Sequence, residues 1–189
     1  SHDTLEILAM SGLDFICIDA EHSPFDRRSA DACLAVARAL DFPVLMRVAS
    51  GSAENILQAL DSGAVGVVVP HVTDKAKAEE VARASRFGHG GRGYAGSTRW
   101  AGFATRPMDE VLAQSISETV VLAQIEEPEG VAAANDIASV DGIDGLFVGP
   151  ADLSVAYGKT DTNSAELAGA LQVVGDAARA QGKAMVTFV

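Results

Sequence analysis

Six short apolar runs are spaced along the chain, and each is bounded by Gly, Pro or charged residues. Such runs are too short for helices, and the pattern is typical of buried β-strands. We therefore predict strands at residues 15–19, 44–48, 65–69, 120–125, 145–148 and 184–189.

Between these runs, apolar residues recur at three- and four-residue spacing, which predicts amphipathic helices. Ser52 and Asp74 each stand just before such a stretch, where their side chains can accept hydrogen bonds from the first turn. Gly63 and Gly182 are suited to ending helices. The clearest helices are predicted at residues 30–40, 53–60, 75–87, 128–138 and 166–181.

The alternation of strand and helix, with short connections, predicts right-handed crossovers and a parallel α/β sheet. A doubly wound open sheet and a closed (β/α)8 TIM barrel both satisfy this pattern. Polar, titratable residues follow several different strands, which favours the barrel because its whole C-terminal rim carries function. A doubly wound sheet would gather such residues at one switch point.

The chain is expected to form one barrel domain that is incomplete at both ends. It begins within a helix-like stretch and ends inside an apolar strand. A closed barrel of this kind needs eight strands and roughly 200 to 250 residues. We therefore expect residues 1–189 to lack the first and the last strand of a (β/α)8 barrel.

Composition and net charge exclude some classes of function and predict where the protein is found. A formal net charge of −12 and the lack of a Lys/Arg cluster argue against nucleic-acid binding. No apolar run is long enough to span a membrane and no signal peptide is recognisable, so we expect a cytoplasmic protein. Cys17 and Cys33 have no metal-ligand spacing, form no evident disulfide pair and are expected to be buried.

Titratable residues follow the first two predicted strands. Asp19, Glu21 and His22 stand where barrel enzymes place catalytic groups, and His22 can act as a general base near neutral pH. These residues can equally cap the next helix or pair at the surface. Arg47 ends the second strand, and an arginine inside an apolar strand requires an anion. That anion is Asp19 or Glu21, or a substrate carboxylate or developing enolate.

Two further carboxylates follow neighbouring strands. Glu126 and Asp152 are about one βα repeat apart, so they are expected side by side, where they repel unless a cation lies between them. Oxygen donors without a Cys or His triad favour Mg²⁺ or Mn²⁺. Alternatively, Asp152 caps a turn and Glu126 pairs with Arg47. Glu127 and Glu129 are interpreted as acids at a helix start.

Two glycine-containing patterns do not carry the function that their spacing suggests. Residues 88–93 fit G-x-G-x-x-G but follow a helix instead of a strand, so a glycine-rich rim loop is expected there, and not a dinucleotide site. Gly158-Lys159-Thr160 resembles the end of a P-loop, but Leu153 stands where the first glycine should be.

Five segments together resemble the HpcH/HpaI family of class II, metal-dependent pyruvate aldolases. This family includes the 4-hydroxy-2-oxoheptanedioate and 2-dehydro-3-deoxyglucarate aldolases. The resemblance covers nearly the whole chain in the same order and implies a (β/α)8 barrel whose first and last strands are absent here. The matching segments are GLDFICIDAEHSPF (12–25), PVLMRV (43–48), LDSGAVGVVVPHV (60–72), AQIEEPEGV (123–131) and VDGIDGLFVGPADLSVAYG (140–158).

The resemblance implies a role for each matching residue. Glu126 and Asp152 would bind a divalent metal ion, namely Mg²⁺, Mn²⁺ or Co²⁺. Arg47 would hold the pyruvyl oxygens and stabilise the enolate, and His22 would assist proton transfer. The implied substrate-binding residues are Arg47, Gln124, Gly149, Pro150, Ala151 and Asp152.

The resemblance also implies how the whole protein works. Asp19 and Asp61 would support His22, with a subunit contact involved, in a homo-oligomer such as a hexamer. The reaction would be reversible cleavage of a 4-hydroxy-2-oxo acid to pyruvate and an aldehyde through a metal-stabilised enolate. No organic cofactor and no Schiff-base lysine are required, and no lysine ends a predicted strand on the active rim.

Two alternatives to the aldolase stay open. The related citrate lyase/malyl-CoA lyase branch shares the two carboxylates and an arginine but acts on acyl-CoA thioesters. The chain could also be a non-catalytic, metabolite-binding barrel. The Ala-Glu-His segment ending at His22 favours the aldolase branch, and the intact set of His22, Arg47, Glu126 and Asp152 favours an enzyme.

Overall fold

Helices and strands alternate along residues 2–188, the part of the chain that the computed structural model describes. The strands β1 to β6 are Ile16–Asp19, Val44–Arg47, Gly66–Val69, Val120–Ile125, Gly145–Val148 and Ala184–Thr187. The helices α1 to α9 are His2–Ala9, Arg27–Ala39, Ala53–Asp61, Lys75–Ser85, Met108–Ser117, Pro128–Ala132, Ala134–Ala138, Pro150–Ala156 and Ala165–Ala180.

The predicted strands are all confirmed, with ends that differ by no more than two residues; position 189, the end of the last predicted strand, lies outside the described residues. The predicted helix at 128–138 is wrong in one respect, because it is divided at Ala133 into α6 and α7. The sequence predicted neither α5 nor α8. Pro150 occupies the first turn of α8, where the N–H that proline lacks would have no hydrogen-bond partner within the helix.

The sheet is parallel wherever its register is defined. Asp19 on β1 lies opposite Arg47 on β2, and Ile125 on β4 lies opposite Val148 on β5, which in turn pairs with β6. The strands are hydrogen-bonded in chain order from β1 to β6. A doubly wound sheet reverses its strand order at a switch point, whereas a (β/α)8 barrel does not. The α/β fold class and the barrel-type strand order are therefore confirmed.

The chain divides into two compact units, and the first comprises the residues up to Val67 together with Ala84–Val120. Its core packs α1 and α2 against β1 and β2, with Leu34, Phe42 and Val44 all buried. The Val65 N–H donates to the Val44 carbonyl over 3.0 Å, and the Val120 N–H donates to the Val65 carbonyl over 3.1 Å. These bonds continue the ladder from β2 to the beginning of β3 and of β4.

Gly66 allows the strands of the first unit to approach one another closely. A methyl group at this position would lie 2.2 Å from the Val120 carbonyl oxygen and 2.8 Å from Leu45 Cδ2. Both distances are far below van der Waals contact, so β3 accepts only glycine here without movement of its neighbours.

The second unit comprises Val68–Arg83 and the residues from Val121 onward. Helix α9 packs against α6, α7, α8, β5 and β6. Its apolar residues Leu167 and Val174 are buried, as are Ile125 and Val148 at the ends of β4 and β5. The ends of these two strands are thus held by a continuous apolar core.

The predicted helix starts are confirmed. Ser52 accepts a hydrogen bond from the Asn55 N–H at the start of α3, and Asp74 accepts one from the Lys77 N–H at the start of α4. Both cysteines are free thiols, but the prediction that both are buried is wrong for Cys17, which lies exposed on β1 at one end of the strand order. No helix in the described part of the chain is long and apolar enough to cross a membrane.

Candidate active site

Glu126 stands immediately after β4 with its carboxylate almost fully buried, at 2% exposure. The backbone N–H of His71 donates to Oε1 of this carboxylate over 2.8 Å. The side-chain amide of Gln124, two residues earlier on the same face of β4, donates to Oε2. The other amide atom, Gln124 Oε1, is buried and has no hydrogen-bond partner among the described residues. A buried acceptor of this kind calls for a donor such as an ordered water.

Gly149 lies between the carboxylates of Glu126 and Asp152. It follows β5 directly, and its N–H donates to the Ile125 carbonyl over 3.1 Å. A methyl group at Gly149 would lie 3.3 Å from Glu126 Oε2 and 3.5 Å from Asp152 Oδ2, so both carboxylates face the same small space. The glycine therefore leaves a cradle that any larger residue would fill.

Asp152 is presented by a short helix. Pro150 begins α8, Ala151 follows it exposed to solvent, and Asp152 lies in the first turn without serving as the N-cap, which is Gly149. The structure therefore brings together Gln124, Glu126, Gly149 and Asp152, as expected for residues at the ends of paired strands.

The first unit contains a second group of predicted residues. Arg47 makes a two-point contact with Asp19, with Nε 2.9 Å from Oδ1 and Nη2 2.6 Å from Oδ2. Arg47 Nε also lies 3.5 Å from Glu21 Oε2, and His22 Nε2 lies 3.6 Å from the same oxygen. The structure thus confirms that Arg47 pairs with Asp19 and Glu21, which was one of the two interpretations left open by the sequence.

Burial and ion pairing oppose each other at this pair. Burial disfavours the charged form of Asp19, but the hydrogen bonds from Arg47 and from the N–H groups of His22 and Glu21 outweigh it and lower the pKa of Asp19. Burial likewise disfavours the charge on Arg47, but Asp19 and Glu21 raise its pKa. Asp19 therefore stays ionised and holds the guanidinium in a fixed orientation.

Asp61 lies at the end of α3, where Arg92 binds its carboxylate. Arg92 Nε and Nη2 lie 3.1 and 2.5 Å from Asp61 Oδ1. The guanidinium is also stacked on the rings of Phe87 and Trp100, at 4.3 and 5.0 Å from their centroids. Asp61 thus anchors the predicted rim loop within the first unit, and its support of His22 stays a prediction.

His71 is the residue that sequence reasoning missed. It follows Pro70 just after β3, and its Nδ1 lies 3.1 Å from Glu126 Oε1 and 3.1 Å from Glu127 Oε1. Asp19, Glu126 and Asp152 were predicted because each is a titratable residue at the end of a predicted strand or within four residues after it. The same criterion, applied to the third strand, would have selected His71.

The residues present fit a divalent cation. Glu126 supplies a buried carboxylate, Asp152 faces the same cradle, and Gln124 Oε1 is an unpartnered acceptor beside them. Carboxylate oxygens are the donors that Mg²⁺ and Mn²⁺ prefer, and a cation would relieve the repulsion of two close negative charges. The residues present therefore fit such an ion, and its binding by Glu126 and Asp152 stays a prediction.

Parallel βα units with carboxylates at adjacent strand ends are the features of a metal-assisted barrel protein, and a family match agrees with them. The model of the HpcH/HpaI aldolase/citrate lyase family matches residues 1–189. The chain belongs to this family, and the resemblance inferred from the sequence is confirmed.

Particular relatives carry more specific names. The chain is 39% identical over 158 residues to a hydroxypyruvate/pyruvate aldolase of Roseobacter denitrificans, covering 82% of this chain and 60% of the relative. It is 32% identical over 180 residues to a 5-keto-4-deoxy-D-glucarate aldolase of an Enterobacter species, covering 94% of this chain and 70% of the relative.

Among solved structures, an HpcH/HpaI aldolase/citrate lyase family protein from Burkholderia cenocepacia matches with a TM-score of 0.93 and 32% identity. The match covers 100% of this chain and 76% of that protein. The chain spans about three fifths of the length of the first curated relatives that it matches.

Proposed function

We propose that the protein is a divalent-metal-dependent aldolase that reversibly cleaves a 4-hydroxy-2-oxo acid to pyruvate and an aldehyde. The observation that carries this proposal is the buried carboxylate of Glu126, which faces Asp152 across Gly149. Curated relatives named as pyruvate or hydroxypyruvate aldolases support the reaction class.

In the second unit, Glu126 and Asp152 are proposed to hold the ion, which is Mg²⁺ or Mn²⁺. When bound, the ion supplies Lewis-acid stabilisation of negative charge on the oxygens of the oxo acid. Gln124 orients the Glu126 carboxylate by donating to its Oε2. The backbone at Gly149, Pro150 and Ala151 is proposed to contact the substrate carboxylate, because the absence of a side chain at Gly149 permits close approach.

In the first unit, Arg47 is proposed to bind the pyruvyl oxygens and to stabilise negative charge that develops on them. Asp19 keeps the guanidinium in one orientation through the two-point contact. His22 is proposed to take the proton from the C4 hydroxyl. As the C3–C4 bond breaks, its electron pair passes to the pyruvyl fragment and the aldehyde leaves; C3 then takes up a proton to give pyruvate.

The proposal also covers the cofactor, the partners, the location in the cell and the oligomeric state of the protein. No organic cofactor takes part, the partners are an oxo acid and an aldehyde, and the protein acts in the cytoplasm as a homo-oligomer. Family resemblance supports the oligomer, and sedimentation velocity of the purified chain measures it directly.

The proposal is tested by proton NMR of pyruvate in D₂O with the protein, in the presence of Mg²⁺ and then of EDTA. We expect metal-dependent loss of the methyl signal, because removal of a C3 proton is the half of the reaction that needs no aldehyde. The Glu126→Gln and Asp152→Asn variants should lose exchange by at least about a hundredfold, as expected when a metal ligand or a group that acts in the transition state is removed.

Glu129→Gln is the matched control, since Glu129 is an exposed acid on α6, three residues from Glu126. It should exchange at the rate of the parent protein. Full exchange by a folded Glu126→Gln variant would refute the assignment of Glu126, and absence of exchange in the metal-loaded parent would refute the enolising site.

A second candidate is suggested by the family description, which covers citrate lyases as well as aldolases. In that case the substrate is an acyl-CoA thioester and not a free 4-hydroxy-2-oxo acid. Cleavage assays with and without CoA separate the two, because the aldolase needs none.

A further inference from the structure

Glu21 is a nearly buried carboxylate to which the proposed function assigns no role. It lies two residues after β1 in the first unit, and its side chain is 10% exposed. Its Oε2 lies 3.5 Å from Arg47 Nε and 3.6 Å from His22 Nε2. A carboxylate is costly to bury unless cations or hydrogen-bond donors surround it. The position of Glu21 is therefore tied to both of these neighbours.

Arg47 is already held by a different carboxylate. Asp19 accepts hydrogen bonds from Arg47 Nε and Nη2 over 2.9 and 2.6 Å, and a two-point contact of this kind fixes the plane of a guanidinium. The distance from Arg47 Nε to Glu21 is longer than a hydrogen bond, so Glu21 adds only a longer-range attraction. The orientation of Arg47 thus depends on Asp19, and His22 is the neighbour on which Glu21 can act most.

The backbone of His22 is fixed, whereas its ring is open to solvent. The N–H groups of Glu21 and His22 donate to Asp19 Oδ1 over 3.0 and 3.2 Å, in a turn that holds both residues after β1. The His22 side chain is 63% exposed, and its Nε2 faces the Glu21 carboxylate. A neutral imidazole carries one proton on one of two nitrogens, and the group that each nitrogen faces determines which of them holds it.

We propose that Glu21 is a positioning residue that keeps the His22 proton on Nε2, so that Nδ1 is the nitrogen that accepts the proton of the C4 hydroxyl. This inference rests on the proposed function, in which His22 is the base. The carboxylate attracts an N–H and repels the lone pair of an unprotonated nitrogen, and it stabilises the positive charge once Nδ1 has accepted the proton. Carboxylate–imidazole pairs in other enzymes act in the same two ways. Such contacts are often long without substrate and shorten when it binds.

The direct test is proton–nitrogen NMR of the histidine rings at about pH 8, where histidine is ordinarily neutral. The shifts of the two ring nitrogens report which of them carries the proton. We expect His22 to be protonated on Nε2 in the parent protein and to move in Glu21→Gln towards the shifts of His89, which is exposed in the glycine-rich rim loop. The signals of His22 are identified by their loss in His22→Gln. Glu6→Gln, at an exposed position on α1, is the matched control and should leave them unchanged.

The kinetics of aldol cleavage supply a second readout, with 4-hydroxy-2-oxopentanoate, the adduct of pyruvate and acetaldehyde, as the probe in the presence of Mg²⁺. In Glu21→Gln we expect kcat to fall by about tenfold, because the ring then holds the productive tautomer only part of the time and the protonated ring lacks its neighbouring charge. KM should stay close to that of the parent protein, because Asp19 still holds Arg47. Glu21→Asp keeps the charge on a shorter side chain and should recover part of kcat.

The possible outcomes distinguish this inference from the proposed function. If the metal-loaded parent exchanges pyruvate protons and a folded Glu21→Gln variant keeps the parent kcat, Glu21 has no positioning role and the proposed function stands. Identical nitrogen shifts of the His22 ring in the parent and in Glu21→Gln would overturn the inference in the same way. Absence of both exchange and cleavage in the metal-loaded parent would overturn the proposed function and this inference together.

Discussion

Asp19 and Arg47 form an ion pair that makes stability sensitive to acid. Hydrogen bonds from Arg47 and two N–H groups outweigh burial and lower the pKa of Asp19 from 3.8. A carboxyl whose pKa falls on folding stabilises the folded state above its unfolded-state pKa, and this stabilisation is lost as the pH falls through the folded-state pKa. We therefore expect the free energy of unfolding, measured by urea denaturation, to decrease as the pH is lowered below about 4.

Asp19→Asn isolates the contribution of the pair. At pH 7 the free energy of unfolding of the variant should be about 1.5–3 kcal/mol lower than that of the parent protein, because Arg47 remains buried opposite a neutral amide. Its stability should also depend less on pH below 4. The same acid dependence in parent and variant would show that other carboxyls cause it.

A separate prediction concerns the cradle at Gly149, the space that the carboxylates of Glu126 and Asp152 both face. Its φ of −92° is accessible to alanine, so the main effect of Gly149→Ala is the methyl group beside Glu126 and Asp152. We expect Mn²⁺ affinity, measured by isothermal titration calorimetry, to fall by about tenfold or more. Unchanged affinity would show that the ion does not bind in the space that the alanine methyl group fills.

The side chains of the candidate site could be predicted in part from the sequence. Asp19, Arg47, Glu126 and Asp152 end or follow apolar runs, and parallel strands bring such positions to one edge. The contact between Asp61 and Arg92 could not be predicted, because Arg92 lies in a loop without periodicity. Sequence patterns constrain regular elements, whereas loop contacts depend on tertiary packing.

Helix α9 offers a matched pair of glycines for testing how helices pack on the sheet. A methyl group at Gly169 would meet nothing within 4 Å, whereas one at Gly175 would lie 3.2 Å from Met185 Sδ on β6. Gly169→Ala should stabilise the protein by about 0.5–1 kcal/mol, since alanine loses less backbone entropy in a helix. Gly175→Ala should gain less, as measured by thermal denaturation, because Met185 must move. Equal gains would indicate that α9 is not held closely against β6.

The strands were more predictable than the short helices. Buried strands such as β3 are apolar on both faces and stand out from their surroundings. Helix α8 has seven residues and begins at a Gly-Pro pair that also fits a turn, so local sequence did not distinguish the two. The division between α6 and α7 at Ala133 likewise follows from packing, since no proline or glycine marks it.

Metal binding should affect the two units of the molecule unequally, because Glu126 and Asp152 both belong to the second unit. A ligand at a hundred times its dissociation constant stabilises the folded state by about 2.7 kcal/mol. In hydrogen exchange with mass spectrometry, Mn²⁺ should increase protection most in peptides that cover residues 122–130 and 147–154. Glu126→Gln should abolish this increase, and an equal increase throughout the chain would argue against a site confined to these residues.

Fold class was predictable for the molecule as a whole because strand and helix alternate regularly along the sequence. The choice of a barrel depended on polar residues after several strands, and the strand order confirms it. The division into two units was not predictable, since its boundary runs within β3 and α4 and between the first two residues of β4, without any change of composition.

The stacking of Arg92 on Trp100 also has an optical consequence. Trp100 is the single tryptophan in the sequence and lies in the first unit, so intrinsic fluorescence excited at the indole band reports on that unit alone. Its partners, a guanidinium and the Phe87 ring, give the indole a rigid environment that unfolding would replace with water. Far-ultraviolet circular dichroism instead averages over every helix. Comparing the two unfolding curves therefore measures the cooperativity between the two units without any added label.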